Sequence, residues 1–175
     1  MRPRRYSGRS ARPLSFTVRS RFLPRAFTPH EGTIFLVPLT PSGFAVGVLA
    51  RTDRKGRAFG YFFGPRVQNA EMVNITTLQP SRAALVCRFG DHGLHTRRWI
   101  VVGEIAKFDR KFWALPKFHR AHDSKEYVYV TEYDDSLNCL AETLVPRDAA
   151  DLASLPYEAQ FGSAIVEHKL SKLLA

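Results

Sequence analysis

Thr33-Ile34-Phe35-Leu36-Val37-Pro38-Leu39, then Thr40-Pro41-Ser42-Gly43, then Phe44-Ala45-Val46-Gly47-Val48-Leu49-Ala50-Arg51, is the stretch that decides the fold class. Both outer runs are rich in β-branched and aromatic residues. A four-residue connection containing Pro and Gly between two such runs reads as a β-hairpin. Asp53-Arg54-Lys55-Gly56 makes the next turn, and Ala58-Phe59-Gly60-Tyr61-Phe62-Phe63 a third strand. Three short strands joined by turns form a meander, the start of a curved antiparallel sheet or a small barrel. Gly47 and Gly60 inside strands mark bends or close backbone approach, as barrel corners require.

Outward from this hairpin, Ala83-Ala84-Leu85-Val86-Cys87-Arg88-Phe89 and Trp99-Ile100-Val101-Val102-Gly103 read as two more strands, with Gly90-Asp91-His92-Gly93 turning the chain between them. Tyr127-Val128-Tyr129-Val130-Thr131-Glu132-Tyr133 alternates aromatic and β-branched residues and is a sixth strand. Pro146 to Leu152 is expected to start a short helix. Ser163 to Leu174 is expected to form a longer one, with Ser163 as N-cap and Ile165, Val166, the Lys169 stem, Leu170 and Leu173 on one stripe. Lys172 suits the negative end of its dipole. The expectation is a mainly β protein of α+β type: a small curved antiparallel sheet or SH3-like barrel with a C-terminal helix packed on it.

The chain has 175 residues, 45% hydrophobic and 24% charged, enough for one domain with a sizeable core. No apolar run approaches the roughly 20 residues a membrane span needs. The formal net charge of +10 is concentrated at one end, because residues 1 to 25 hold eight arginines and no acid. Removing those eight from the 26 basic residues leaves 18 against 16 acids, a net of +2 on the body. The division expected is therefore a disordered Arg-rich arm over 1–29 and a β-rich domain over 30–175. Three readings of the arm stay open. It resembles an organelle transit peptide, though Pro3, Pro13 and Pro24 spoil an amphipathic helix; it suits phosphate neutralisation; or it is upstream sequence from an early start or a tail without function. No apolar stretch follows the charges, so it is not a secretory signal.

The body offers little catalytic chemistry. His92-Gly93-Leu94-His95 and His119-Arg120-Ala121-His122 each supply two imidazoles, fewer than a metal needs, and read as solvent-facing loop histidines. Cys87 and Cys139 lie 52 positions apart without ligand or redox spacing and read as buried reduced thiols. There is no nucleophile elbow and no phosphate loop. No metal or cofactor is expected. Asp134-Asp135 reads as a solvated turn. The most unusual stretch is Phe108-Asp109-Arg110-Lys111-Phe112-Trp113-Ala114-Leu115-Pro116-Lys117-Phe118-His119-Arg120, which interleaves aromatics with cations. Three uses compete for it: stacking on single-stranded nucleic acid, protein-interface hot spots, or aromatics plugging one end of the sheet.

Trp99-Ile100-Val101-Val102-Gly103, Phe108-Asp109-Arg110, Trp113, Leu115-Pro116 and Phe118 together resemble the hallmark region of the immunity protein 26 family of bacterial polymorphic toxin systems. Gly32 to Leu39, Gly43 to Gly47 and Gly60 to Phe63 resemble that family's first strands, in the right order over about 30 to 135. Thr33, Ala114 and Ala106-Lys107 depart from its pattern. The resemblance implies a non-enzymatic, cytosolic protein that binds a cognate toxin domain and occludes its active site. On that reading the candidate toxin contacts are Phe108, Arg110, Lys111, Trp113, Lys117 and Phe118, with Glu132, Asp134 and Asp135 as a secondary acidic patch. The alternatives are a MazF/PemK-like barrel ribonuclease, with Arg51 and Thr52 placed loosely in its cleft, or an RNA-binding module using the arm and the cationic aromatic loop.

Overall fold

The computed structural model of the chain describes residues 28–175. The arm expected over 1–29 lies, up to residue 27, outside the described residues. Among these, the elements in order are β1 (Thr33–Pro38), β2 (Phe44–Thr52), β3 (Arg57–Val67), β4 (Leu85–Gly90), α1 (His92–His95), β5 (Ile100–Glu104), β6 (Phe118–Ala121), β7 (Tyr127–Tyr133), β8 (Cys139–Pro146), β9 (Gln160–Phe161) and α2 (Ser163–Leu173). Three single turns, 70–72, 75–77 and 80–82, link β3 to β4.

The strands form two sheets. One has six strands in the order β5-β1-β2-β3-β4-β9, and the other is β6-β7-β8. The expected hairpin is present, with Ile34 opposite Val48 and Leu36 opposite Val46. The expected antiparallel meander continues through β3 and β4, but β9 adds in parallel to β4, so the larger sheet is mixed.

No barrel closes among the described residues: the larger sheet ends at β5 on one edge and β9 on the other. The physical reason is that both faces of its central strands are covered. Ile34, Leu36, Val46, Val48, Phe59, Tyr61 and Phe63 join Trp113, Phe118 and Leu137 on one side. Phe35, Val37, Ala45, Leu49, Phe62 and Phe89 join Trp99, Val166 and Leu170 on the other. A strand buried on both faces carries an unbroken apolar run, and Ala45-Val46-Gly47-Val48-Leu49-Ala50 is one, without the alternation of a half-exposed strand. The two strand glycines therefore serve close packing. A Cβ at Gly47 would fall onto the Phe35 ring, and one at Gly60 would lie 2.7 Å from the Val48 carbonyl.

Several local expectations are corrected. The Gly90 to Gly93 turn opens the one-turn helix α1. Residues 147–152 form turns and bends rather than a helix, and Pro146 closes the strand β8, which was not expected. Its mixed composition and largely exposed pattern lack the alternation that marks a strand. On α2, Gly162 stands at the N-cap position in place of Ser163. The buried residues are Val166, Glu167 and Leu170, whereas Ile165 and Leu173 are exposed. The helix is turned so that Glu167 receives the Trp99 indole N–H at 2.9 Å and both Arg98 donors at 2.7 and 2.6 Å.

Candidate functional site

The segment from 105 to 118 crosses from β5 to β6 over the face of the large sheet opposite α2, and its backbone is held from beneath. Arg51, at the end of β2, is 2% exposed. Its guanidinium donates to the carbonyls of Ala50 (2.7 Å), Trp113 (3.1 Å) and Arg110 (3.1 Å), and its Nε donates to Asp135 at 2.5 Å. Tyr61 on β3 donates its hydroxyl to the Ala114 carbonyl, and burial pushes that phenol's pKa up. Within the segment, Asp109 accepts the Lys111 N–H at 2.8 Å and closes one turn through the Trp113 N–H at 2.9 Å. An irregular stretch is thereby fixed by buried donors that satisfy its carbonyls.

The six candidate contact residues separate by depth. Trp113 is 3% exposed and Phe118 fully buried. Trp113 packs edge-on against Tyr61 and Phe63 and stacks on half-buried Phe108 at 6.2 Å. Phe118 meets Phe59 and Tyr133 edge-on. Arg110, Lys111 and Lys117 are exposed. Arg110 forks onto Glu31 at 2.7 and 2.9 Å and reaches Asp135 at 3.3 Å, and the Glu31 bond raises its pKa. Lys117 is paired with Glu132. The Lys111 ammonium has no partner among the described residues.

The acidic patch does not stand apart from these cations. Glu132 holds Lys117. Asp135 accepts from Arg51 and Arg110, and the Arg51 bond is the main reason its pKa is lowered. Asp134 accepts the Ser136 and Asn138 backbone N–H groups, each at 2.8 Å, and so braces its own turn. Glu132 and Asp135 thus form one neutralised seam with Lys117 and Arg110, because β7 and the turn after it lie beside the segment.

Phe112, which was not among the candidates, is 54% exposed and edge-on to Trp113 at 5.6 Å. It flanks a groove of about 290 Å³ lined by Ile75, Leu78, Ile105 and Trp113, with Lys107 and Asp109 as its charged members. The role of Arg51 was also missed. Its one signal in the sequence is a lone cation closing an unbroken apolar strand. Its buried position, with its donors spent on the fold, leaves it unable to serve as the cleft arginine of a barrel ribonuclease, and Thr52 accepts the Arg54 N–H at 3.1 Å.

The other sequence candidates are accounted for locally. His95 lies 3.0 Å from Asp91, and His119 sits on β6 with its Nδ1 2.8 Å from the Leu155 carbonyl, so it is not a loop residue. No cluster of three or more metal-ligating side chains occurs among the described residues. Both cysteines are free; Cys87 is buried, which pushes its thiol up to about 12, whereas Cys139 is exposed, against expectation. No helix among the described residues is long and apolar enough to cross a membrane.

Fold and site together define a two-sheet α+β protein whose distinguishing part is a buttressed aromatic and cationic crossover. The family model of immunity protein 26 matches residues 30–126, more than half of the chain, and the chain belongs to that family. Its place is thus among the immunity proteins of toxin systems. No curated protein and no solved structure matches it.

Proposed function

We propose that the chain neutralises a cognate toxin domain without catalysis, by seating the outer side of the 105–118 segment on the toxin and occluding its active site. Of the six contact candidates, Arg110, Lys111, Lys117 and the edge of Phe108 meet the toxin, while Trp113 and Phe118 hold that surface in shape from below. Phe112 joins the contact set. The observation that carries this reading is a large aromatic side chain left half in water beside a lysine without an ion-pair partner among the described residues, on backbone clamped by Arg51 and Tyr61. A rigid backbone lowers the ordering cost of binding, and aromatic and arginine side chains are prominent among the residues that dominate interface energies. The domain doing this is the body from residue 30 onward, in the cytosol of the producing cell.

Affinity capture of the tagged full chain from its host lysate, with and without nuclease, tests the partner class. A toxin domain retained after nuclease treatment is the expected result, and recovery of RNA alone would replace this reading with nucleic-acid binding. With that toxin in hand, the pair Lys111→Ala and Phe112→Ala is expected to weaken binding about thirtyfold, the scale of one hot spot. Unchanged affinity in the folded double variant would remove the segment from the interface.

A further inference from the structure

We infer that the outer edge of β8 pairs with the same edge of a second copy of the chain, antiparallel about a two-fold axis at Thr143, so that the three-stranded sheets of both copies run on as one. This contact is separate from the toxin face at 105–118. A sheet edge presents a row of unbonded N–H and C=O groups that accept another strand, and the edges of this molecule differ in how they are closed. β6 is covered from outside: the His119 N–H donates to the Pro156 carbonyl at 3.0 Å, and the His119 carbonyl accepts the Glu158 N–H at 2.7 Å. β9 has two residues. β5 has five, is interrupted by a register shift against β1, and ends on Glu104, which meets His30 at 3.1 Å. β8 has eight residues, and among the described residues β7 is its one sheet neighbour. All of them but Val145 are exposed, Leu140 at 66% and Leu144 at 46%.

The backbone register assigns the open groups. Just past the strand, the Arg147 N–H donates to the Glu126 carbonyl at 2.8 Å. Antiparallel neighbours alternate between bonded and unbonded pairs, so Val145 with Val128 and Thr143 with Val130 are the bonded pairs that follow. The N–H and C=O groups of Glu142 and Leu144 therefore point away from β7. Two features bound this window. The ladder slips between Glu132 and Tyr133, leaving Leu140 as a bulge, and Pro146 has no N–H to give. The window between them, 141–145, has Thr143 at its centre. When two such windows pair antiparallel, Glu142 of one copy exchanges both backbone bonds with Leu144 of the other, and every outward donor in the window finds an acceptor. Each bulge then lies opposite the other copy's proline, at the ends of the ladder.

Charge and side chains select a second copy as the occupant. Glu142 is the one charged residue in the strand, and Arg120 holds its carboxylate at 2.8 and 2.9 Å across β7. The edge therefore carries no net charge to attract a partner of opposite sign or to repel its own copy. On the face away from Glu142, Ala141, Thr143 and Val145 meet the other copy's Val145, Thr143 and Ala141. These are small or β-branched side chains that pack on a pleated surface, and Thr opposite Thr is a favourable cross-strand pair. A self-complementary contact closes at two chains, and the joined sheet then ends on a covered β6 at either side. One strand pair covers less than the roughly 1,200 Å² of a stable complex, so the dimer is weak and depends on concentration.

Sedimentation of the full chain from micromolar to millimolar concentration tests this. A species of twice the 19.8 kDa chain mass should grow with concentration. Thr143→Lys and Thr143→Glu, at an exposed position, each set like charges against one another across the axis and should weaken the dimer at least about tenfold. Mixed in equal amounts, the two variants should regain it, since Lys then faces Glu. Leu144→Pro removes an outward N–H, leaves the ladder to β7 intact and should likewise give monomer. Circular dichroism matching the unaltered chain shows that each variant is folded. A chain that stays monomeric throughout, or a dimer indifferent to all three substitutions, would overturn the inference. So would open-ended growth, or a mixture of the Thr143 variants that fails to associate. Protection of β8 from hydrogen exchange that appears only on adding the captured toxin domain would give the edge to a strand of the toxin instead.

Discussion

The two hallmark tryptophans sit on opposite faces of the same sheet and are closed over in different ways. Trp99 is fully buried, stacked on Phe35 at 5.4 Å and capped by α2, whose Glu167 takes its indole N–H. Trp113 is almost as deeply buried, but its cover is an irregular segment that spends its inner groups on the fold and leaves Lys111 and Phe112 outside. The first face uses a regular element, which satisfies its own backbone. The second uses a loop, whose carbonyls must be satisfied by side chains from the sheet. Both faces contribute to stability, and only the second couples it to a displayed surface.

If the loop face depends on borrowed donors, its largest weak point is Arg51. Arg51→Ala strips hydrogen bonds from three buried or half-buried carbonyls and leaves a cavity, so a loss on the order of 3 kcal/mol in chemical denaturation is expected. A loss below about 1 kcal/mol would show that the segment holds itself. On the helix face the corresponding strain test is Gly47→Ala, which drives a methyl into the Phe35 ring and should cost about 1–3 kcal/mol. That variant should leave toxin affinity unchanged at temperatures where it is folded, since the damage lies on the far side of the sheet.

The smallest effect concerns Glu167 and depends on pH. Burial pushes its pKa up, but the hydrogen bonds from Arg98 and Trp99 and the Arg98 charge outweigh that and hold it below 4.5. A carboxyl whose folded pKa is depressed stabilises the fold above its unfolded value and loses that contribution as pH falls through the folded one. Glu167→Gln should therefore cost about 1 kcal/mol at neutral pH, and the difference should disappear in acid. Parallel melting curves from pH 7 down to pH 3, equally spaced throughout, would mean that the pair contributes nothing through its charge.

How much of this was legible in the sequence follows the same division. β1 to β3 could be read because their apolar runs and turn residues are local signals. Even the unbroken run in β2 already carried the message that both faces are covered, which an SH3-like barrel does not provide. The segment 108–118 announced itself by composition, but which of its aromatics face inward depends on Tyr61, Phe63 and Phe59, far away in the chain. Arg51 was the hardest to see. The two carbonyls by which it holds the segment, those of Arg110 and Trp113, lie about 60 positions later, and a backbone carbonyl carries no mark in a sequence. β8 escaped for the opposite reason: as an exposed edge it buries too little to need an apolar pattern.

Hydrogen exchange on the full chain, free and bound to the captured toxin, tests the central claim most directly. The account predicts slowed exchange along 105–118 and in the 75–77 turn, with α2 and β8 unchanged. Protection confined to β8 or α2, with the segment exchanging as in the free chain, would contradict it.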